Sequence, residues 1–266
     1  MGIVNVTPDS FSDGGQFLDA AAAVDHGLAL AAEGADLLDI GGESTRPYSE
    51  VVPVAEELRR VLPVVERLAQ RCGLPISIDT SKAAVAEAAI AAGAEIINDV
   101  TGLAGDPRMV EVAIAAKAGV CAMHMQGTPQ TMQDNPDYRE VVADVGAYLA
   151  SRRDALVSAG VERERICLDP GIGFGKTPQH NLTLMAHCGR YHELGCPLLV
   201  GHSRKGFFTK LAGGTAIDRD IATAGAALAL AAQGVQVIRV HNVPVVRAAL
   251  LAFEACGGID GQELRL

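Results

Sequence analysis

Short apolar runs alternate along the chain with longer, Ala-rich segments whose apolar positions recur every three to four residues. The short runs fall at 2–6, 36–40, 75–78, 95–98, 119–123, 165–168, 197–200 and 236–240. Runs of this length, bounded by Gly, Pro or a charged residue, are the pattern of strands buried on both faces. The helical segments that follow them cover 19–33, 54–71, 81–92, 107–118, 137–159, 178–194, 217–233 and 244–256. Gly34 and Gly93 stand where two of these helices must stop. Eight strand-then-helix units predict a single α/β domain over 1–266, a TIM (β/α)8 barrel. A doubly wound open sheet is the alternative, but no Gly-x-Gly-x-x-Gly follows the first strand.

The strands share a second pattern, in which each apolar run finishes in a polar group. Those ends carry Asn5, then Asp39 with the loop 41–46, Asp79, Asn98 with Asp99, and His124. Asp169, the run His202-Ser203-Arg204-Lys205, and Arg239 with His241 complete the set. The sixth is the most marked: Ile166-Cys-Leu-Asp169 breaks at once into Pro170 and three glycines, ending at Lys176. Each end has an ordinary reading as a turn former or helix cap. Together they define one rim, the face on which barrel enzymes carry their sites.

Composition narrows the class of ligand. A net charge of -10 without a basic stripe excludes a nucleic-acid surface. The six cysteines are scattered without a Cys-x-x-Cys pair, which fits core thiols in a reducing compartment and neither disulfides nor zinc. No apolar run is long enough for a membrane span and no signal peptide is read, so the expectation is a cytoplasmic protein. At the rim, Asp79, Asn98 and Asp169 suit a flat heterocycle rich in N–H groups, since a carboxylate accepts two parallel N–H bonds. Arg239 and His241 lie two apart on one strand and share a face, and with Arg46 they offer a cationic cluster for phosphate. Asn5, Asp9 and Asp13 offer oxygens to a hard cation such as Mg2+.

These residues lie in segments that resemble one family. Gly-Ile-Val-Asn-Val-Thr-Pro-Asp-Ser-Phe-Ser-Asp-Gly-Gly over 2–15 is similar to the opening motif of the dihydropteroate synthases. Gly-Gly-Glu-Ser-Thr-Arg-Pro over 41–47, Ser-Ile-Asp-Thr over 77–80, Ile-Asn-Asp-Val over 97–100 and Met-His-Met at 123–125 follow in family order. So do Leu-Asp-Pro-Gly-Ile-Gly-Phe-Gly-Lys over 168–176, Ser-Arg-Lys at 203–205 and Arg-Val-His at 239–241. The resemblance implies a barrel that joins 6-hydroxymethyl-7,8-dihydropterin pyrophosphate to p-aminobenzoate with Mg2+ as cofactor, in a homodimer open to sulfonamides. It implies a pterin slot of Asp79, Asn98, Met123, Asp169, Phe174, Gly201, Lys205 and Arg239. Asn5, Thr45, Arg46, Arg239 and His241 would meet the pyrophosphate, with Asn5 and Asp13 on the metal. Phe11, Thr45, Phe174, Ser203 and Lys205 would form the p-aminobenzoate pocket. Asn5, Asp13, Arg46, Lys205 and His241 are the expected catalytic groups.

Three positions depart from the family pattern. Gly206 follows Lys205 where many members have a Ser that contacts the p-aminobenzoate carboxylate, Asn242 follows His241 where Asp is common, and the chain begins directly on the first strand. Two other readings compete: a methyltetrahydrofolate-dependent corrinoid methyltransferase, and a non-catalytic pterin-binding subunit. The first should lack the 7–13 loop and Ser-Arg-Lys, and the second should show erosion at Asn5, Phe11, Arg46, Lys205 and His241. Both expectations fail in this sequence.

Overall fold

Parallel strands need crossover connections, and here each is a helix laid against the outside of the sheet. The computed structural model describes residues 1–7 and 16–263. In chain order it places β1 at Gly2–Asn5, α1 at Gln16–Ala32, β2 at Leu38–Gly41, α2 at Val54–Arg71, β3 at Ile76–Asp79 and α3 at Ala83–Ala91. Next come β4 at Ile96–Asp99, α4 at Met109–Ala116, β5 at Gly119–Met123, α5 at Val141–Ala159, β6 at Ile166–Asp169 and α6 at Pro178–Ala186. The last part holds β7 at Leu199–Val200, α7 at Phe207–Ala212, α8 at Ala216–Ala231, β8 at Val237–Ile238 and α9 at Val243–Ala255. A small antiparallel pair, β9 at Cys256–Gly257 and β10 at Gln262–Glu263, follows.

Strands β1 to β6 pair in parallel and in chain order, and β7 pairs with β8. Single parallel bridges, Leu168 to Leu198 and Gly2 to Val240, join the two groups. The Leu168 N–H donates to Pro197 O (2.9 Å), Ile3 N–H to Val240 O (3.1 Å) and Val240 N–H to Met1 O (2.9 Å). The ring of eight strands is therefore closed, as the sequence predicts for a TIM barrel.

Alternation along each strand sorts the residues. Leu38, Ile40, Ile76, Ile78, Ile97, Val120, Ala122, Ile166 and Leu168 point outward into the apolar core shared with the helices. Asp39, Asp79, Asn98, Met123 and Asp169 occupy the intervening positions and point into the barrel.

Several boundaries differ from the expected ones, each for a local reason. The helix predicted over 178–194 stops at Ala186, because His187 leaves the helical region (φ -124°), and Cys188–Leu194 forms a 3-10 segment. Gln233 holds that turn by accepting from Gly189 N–H (3.1 Å). The helix predicted from 137 begins at Val141, capped by the Glu140 carboxylate, because Gln126 binds the Asp137 N–H and keeps that stretch in the loop. The short helix α7, not foreseen, fills part of the long connection after β7. Among the described residues no helix is long and apolar enough to cross a membrane. All six cysteines are free.

Candidate active site

The inward residues of four strands meet at the centre of the barrel. Asp39 on β2 is fully buried, and its Oδ2 accepts from Arg239 Nε (2.5 Å) and Asn98 Nδ2 (3.2 Å). Arg239, just past β8, also donates Nη2 to Asp79 Oδ2 (2.8 Å). Burial opposes the charge on Arg239, but Asp39 and Asp79 together hold its guanidinium above the ordinary arginine range. Burial pushes Asp79 up to about 7; Arg239 pulls it down and the Asp39 carboxylate raises it. Arg239 is one of the three groups expected to form a cationic cluster for phosphate. Two carboxylates engage it from inside the barrel, so it presents a fixed plane more than an unspent charge.

Asp169, at the end of β6, accepts from Gly171 N–H (2.7 Å), and burial raises it to about 6. The glycine-rich turn beyond it exists because backbone packs on backbone there. Gly171 has φ +69°, and a Cβ on it would lie 1.9 Å from the His124 carbonyl oxygen. That turn carries Phe174, over whose ring Lys205 Nζ sits 4.3 Å from the centroid. A Cβ on Gly173 would press on the Lys205 stem at 2.9 Å, so the glycine leaves room for the lysine. Burial and the nearby Arg239 bring Lys205 down to about 8 against the pull of Asp169 and Asp79. Met123 is buried, and Gly201 stands beside Arg239, whose Cδ is 3.8 Å from where a Cβ would be.

Toward the rim, His241 Nδ1 lies 3.0 Å from Ser203 Oγ, and the His241 N–H donates to the same hydroxyl (3.2 Å). Burial, with Arg239, Arg204, Lys205 and Arg46 all facing it, drives His241 down to about 3. His241 is therefore held toward the neutral imidazole in the free protein. Arg46 is exposed and Thr45 half-buried on the loop after β2. The base of that loop is anchored: Glu43 accepts from Val52 N–H (2.7 Å) and from Lys82 Nζ (2.7 Å), and Lys82 also binds the buried Glu57 (2.5 Å). Its tip rests on the loop after β5, through Tyr48 N–H to Pro129 O and Gln130 Nε2 to Ser49 O (both 3.1 Å). Asn5 ends β1 half-buried, with a hard carboxamide oxygen suited to Mg2+. Asp9, Phe11 and Asp13 lie outside the described residues. Among those described, no cluster of three or more His, Cys, Asp and Glu groups forms a cation cage.

Four polar residues at the strand ends serve the scaffold. Asp99 points outward and accepts from Thr101 N–H, Thr101 Oγ1 and Leu103 N–H, closing its turn. His124 is buried, with Nδ1 3.0 Å from Lys176 Nζ. His202 Nε2 meets Thr223 O (2.9 Å), and Arg204 makes a two-point ion pair with Asp220. The buried Lys176, last residue of the 168–176 segment, also donates to the carbonyls of Phe174 (2.8 Å) and His124 (3.3 Å). Its signal was the one charged residue closing an otherwise apolar, glycine-rich run. Asn242 caps α9 and donates to Asp220 Oδ2 (2.7 Å), roles in which the carboxamide serves directly. A Cβ on Gly206 meets nothing within 4 Å.

The chain is similar to known proteins along nearly its whole length. The model of the pterin-binding enzyme family matches residues 1–241. A dihydropteroate synthase of Neisseria meningitidis serogroup C is 48% identical over 261 residues, covering 97% of this chain and 92% of its own. The chain belongs to the dihydropteroate synthase family. A dihydropteroate synthase of Escherichia coli K12 shares 44% over 255 residues, covering 96% of this chain and 90% of its own. A dihydropteroate synthase structure from Xanthomonas albilineans with 4-aminobenzoic acid superimposes with a TM-score of 0.90 at 48% identity, covering 96% of this chain and 91% of that one. A Yersinia pestis dihydropteroate synthase in a sulfonamide complex gives a TM-score of 0.90 at 45% identity, covering 96% and 92%.

Proposed function

We propose that this chain condenses 6-hydroxymethyl-7,8-dihydropterin pyrophosphate with p-aminobenzoate, forming 7,8-dihydropteroate and releasing pyrophosphate, a step of folate biosynthesis. The observation that carries the reading is the buried Asn98 and Asp169 with the half-buried Asp79, opening on one slot in a chain so similar to dihydropteroate synthases. The slot takes the N–H-rich edge of the pterin, with Met123, Phe174, Gly201 and the flat face of Arg239 against the ring. Lys205 and Phe174 border the amine's pocket, with Ser203, Thr45 and Phe11 as its further members. Arg46, Asn5 and His241 receive the pyrophosphate. The arriving anion favours a proton on His241, which is neutral until then. Asn5, with Asp13, suits a Mg2+ held mainly by substrate phosphates; when bound, the ion offsets charge on the departing pyrophosphate.

The electron-rich dihydropterin delocalises positive charge at its exocyclic methylene, and the rim gathers charge where the leaving group departs. An aromatic amine needs no general base before it attacks. The chemistry is therefore dissociative: the C–O bond to pyrophosphate breaks first, the amine nitrogen then bonds to the methylene, and its proton leaves afterwards. Product assays with both substrates and Mg2+ test the activity, and sulfonamides should compete with p-aminobenzoate. For the mechanism, single-turnover rates across ring-substituted p-aminobenzoates should vary little, and positional isotope exchange in the pyrophosphate should occur without amine. A steep dependence on amine nucleophilicity with no exchange establishes direct displacement instead. Arg46→Ala should lower turnover while leaving affinity for a pterin lacking pyrophosphate unchanged; a large loss there places Arg46 elsewhere.

A cytoplasmic homodimer completes the proposal. Ile217 and Ile221 on α8 lie one helical turn apart at 72% and 61% exposure, an apolar stripe suited to a second copy. Ile221→Lys should shift sedimentation from dimer to monomer.

A further inference from the structure

We propose that Asp39 is a positioning residue of the slot: it fixes Asn98 with its carboxamide oxygen toward the ligand and locks the plane of Arg239. The inference rests on the reading of that slot as the pterin site. Asp39 is fully buried and both of its bonded neighbours hang on one oxygen, Oδ2. Its other oxygen, Oδ1, has no partner among the described residues. A buried carboxylate in that state costs stability compared with an apolar residue of similar size, so packing does not account for it.

Its chemistry does. As the ion-pair partner of Arg239 the carboxylate only accepts hydrogen bonds. Asn98 can meet it only with its NH2; the flipped carboxamide would set oxygen against oxygen in a buried site. Asn98 therefore turns its Oδ1 to the slot, beside the carboxylates of Asp79 and Asp169. A ligand must bring an N–H to each of the three, and a ring with an acceptor at any of them faces lone pairs. Arg239 is held at two different nitrogens, Nε by Asp39 and Nη2 by Asp79, and two such bonds define the plane of a rigid guanidinium. Asp39 acts through Asn98 and Arg239 from beneath the slot.

Two variants separate the shared Oδ2 acceptor from packing. Asp39→Asn keeps one oxygen where Arg239 Nε and Asn98 Nδ2 both bond and sets its NH2 on the unpartnered Oδ1 side, so both neighbours stay in place. Asp39→Leu removes that acceptor, and Asn98 is free to turn its NH2 to the ligand. Calorimetry with 6-hydroxymethylpterin should show affinity reduced about tenfold or more in Asp39→Leu. In Asp39→Asn affinity should stay within roughly threefold of the parent. A smaller loss in Asp39→Leu, or an equal loss in both variants, overturns the proposal. Should Asp39→Leu not fold, neutron diffraction from deuterated crystals of the parent decides. Two Asn98 deuterons facing Asp39, with and without pterin, support the proposal, and deuterons facing the ligand overturn it. Asp169→Asn serves as control. If it also leaves pterin affinity untouched, the pterin reading of the slot fails; if it alone weakens binding, only the role of Asp39 does.

Discussion

The two faces of the same strands are built on opposite principles. Outward, Leu38 and Ile40 on β2 or Ile76 and Ile78 on β3 are apolar and wholly buried under helices. Inward, one residue away on the same backbone, Asp39 and Asp79 bind Arg239. The outer face stabilises the fold through apolar area removed from water. The inner face holds carboxylates that burial pushes toward protonation, Asp79 to about 7 and Asp169 to about 6. Groups held at such cost belong to a site, because a ligand's N–H donors recover what desolvation takes away.

The largest expected effect lies on the outer face. Leu38→Ala should cost roughly 2–5 kcal/mol in denaturant unfolding. Affinity for pterin in the protein that remains folded should stay at the parent value; a proportional loss of both would erase the distinction between the faces.

Asp169→Asn should do the reverse, removing roughly 2–4 kcal/mol of pterin binding by calorimetry. Unfolding should be unchanged or slightly strengthened, because the ionised carboxylate is the form that burial penalises. Near-parent affinity removes Asp169 from the site.

A pH titration sharpens the contrast with a smaller signal. Asp169 and Asp79 accept two N–H bonds only when ionised, so pterin affinity should climb about tenfold from about pH 5 to 7.5. Their contribution to stability has the opposite sign. Both are raised above the ordinary 3.8, so the folded state holds protons that the unfolded chain has released. That contribution is present below about pH 4 and lost as pH rises through about 6 and 7. Parallel calorimetry and unfolding series should therefore diverge; curves of the same sign contradict the assignment.

Gly206→Ser should have the smallest effect. An added Cβ has open space, so stability should stay within about 0.5 kcal/mol. A hydroxyl beside the p-aminobenzoate carboxylate should tighten that substrate by up to about 1 kcal/mol, read as a fall in its KM. No change in KM places residue 206 away from the carboxylate.

The strand-then-helix alternation, the closed barrel and the polar character of the strand ends were legible in the chain, because buried parallel strands and glycine-stopped helices leave local patterns. The helix break at His187 was not, since Gln233, 46 positions downstream of it, holds that turn. Adjacent residues with equal claims were also indistinguishable. Asn98 turns into the slot and Asp99 turns out to close a loop, a choice set by which face the strand shows the barrel axis. The charge on a side chain is likewise a property of its neighbours. His241 reads as a phosphate-binding cation until four basic groups and burial gather around it. Arg239 reads the same way until Asp39 and Asp79, 200 and 160 positions away in the chain, take hold of its guanidinium. Residue types and periodicity, being local, determined the barrel and the chemistry available to it. Orientation, protonation and pairing are sums over contacts distant in sequence, and only the closed barrel brings those contacts together.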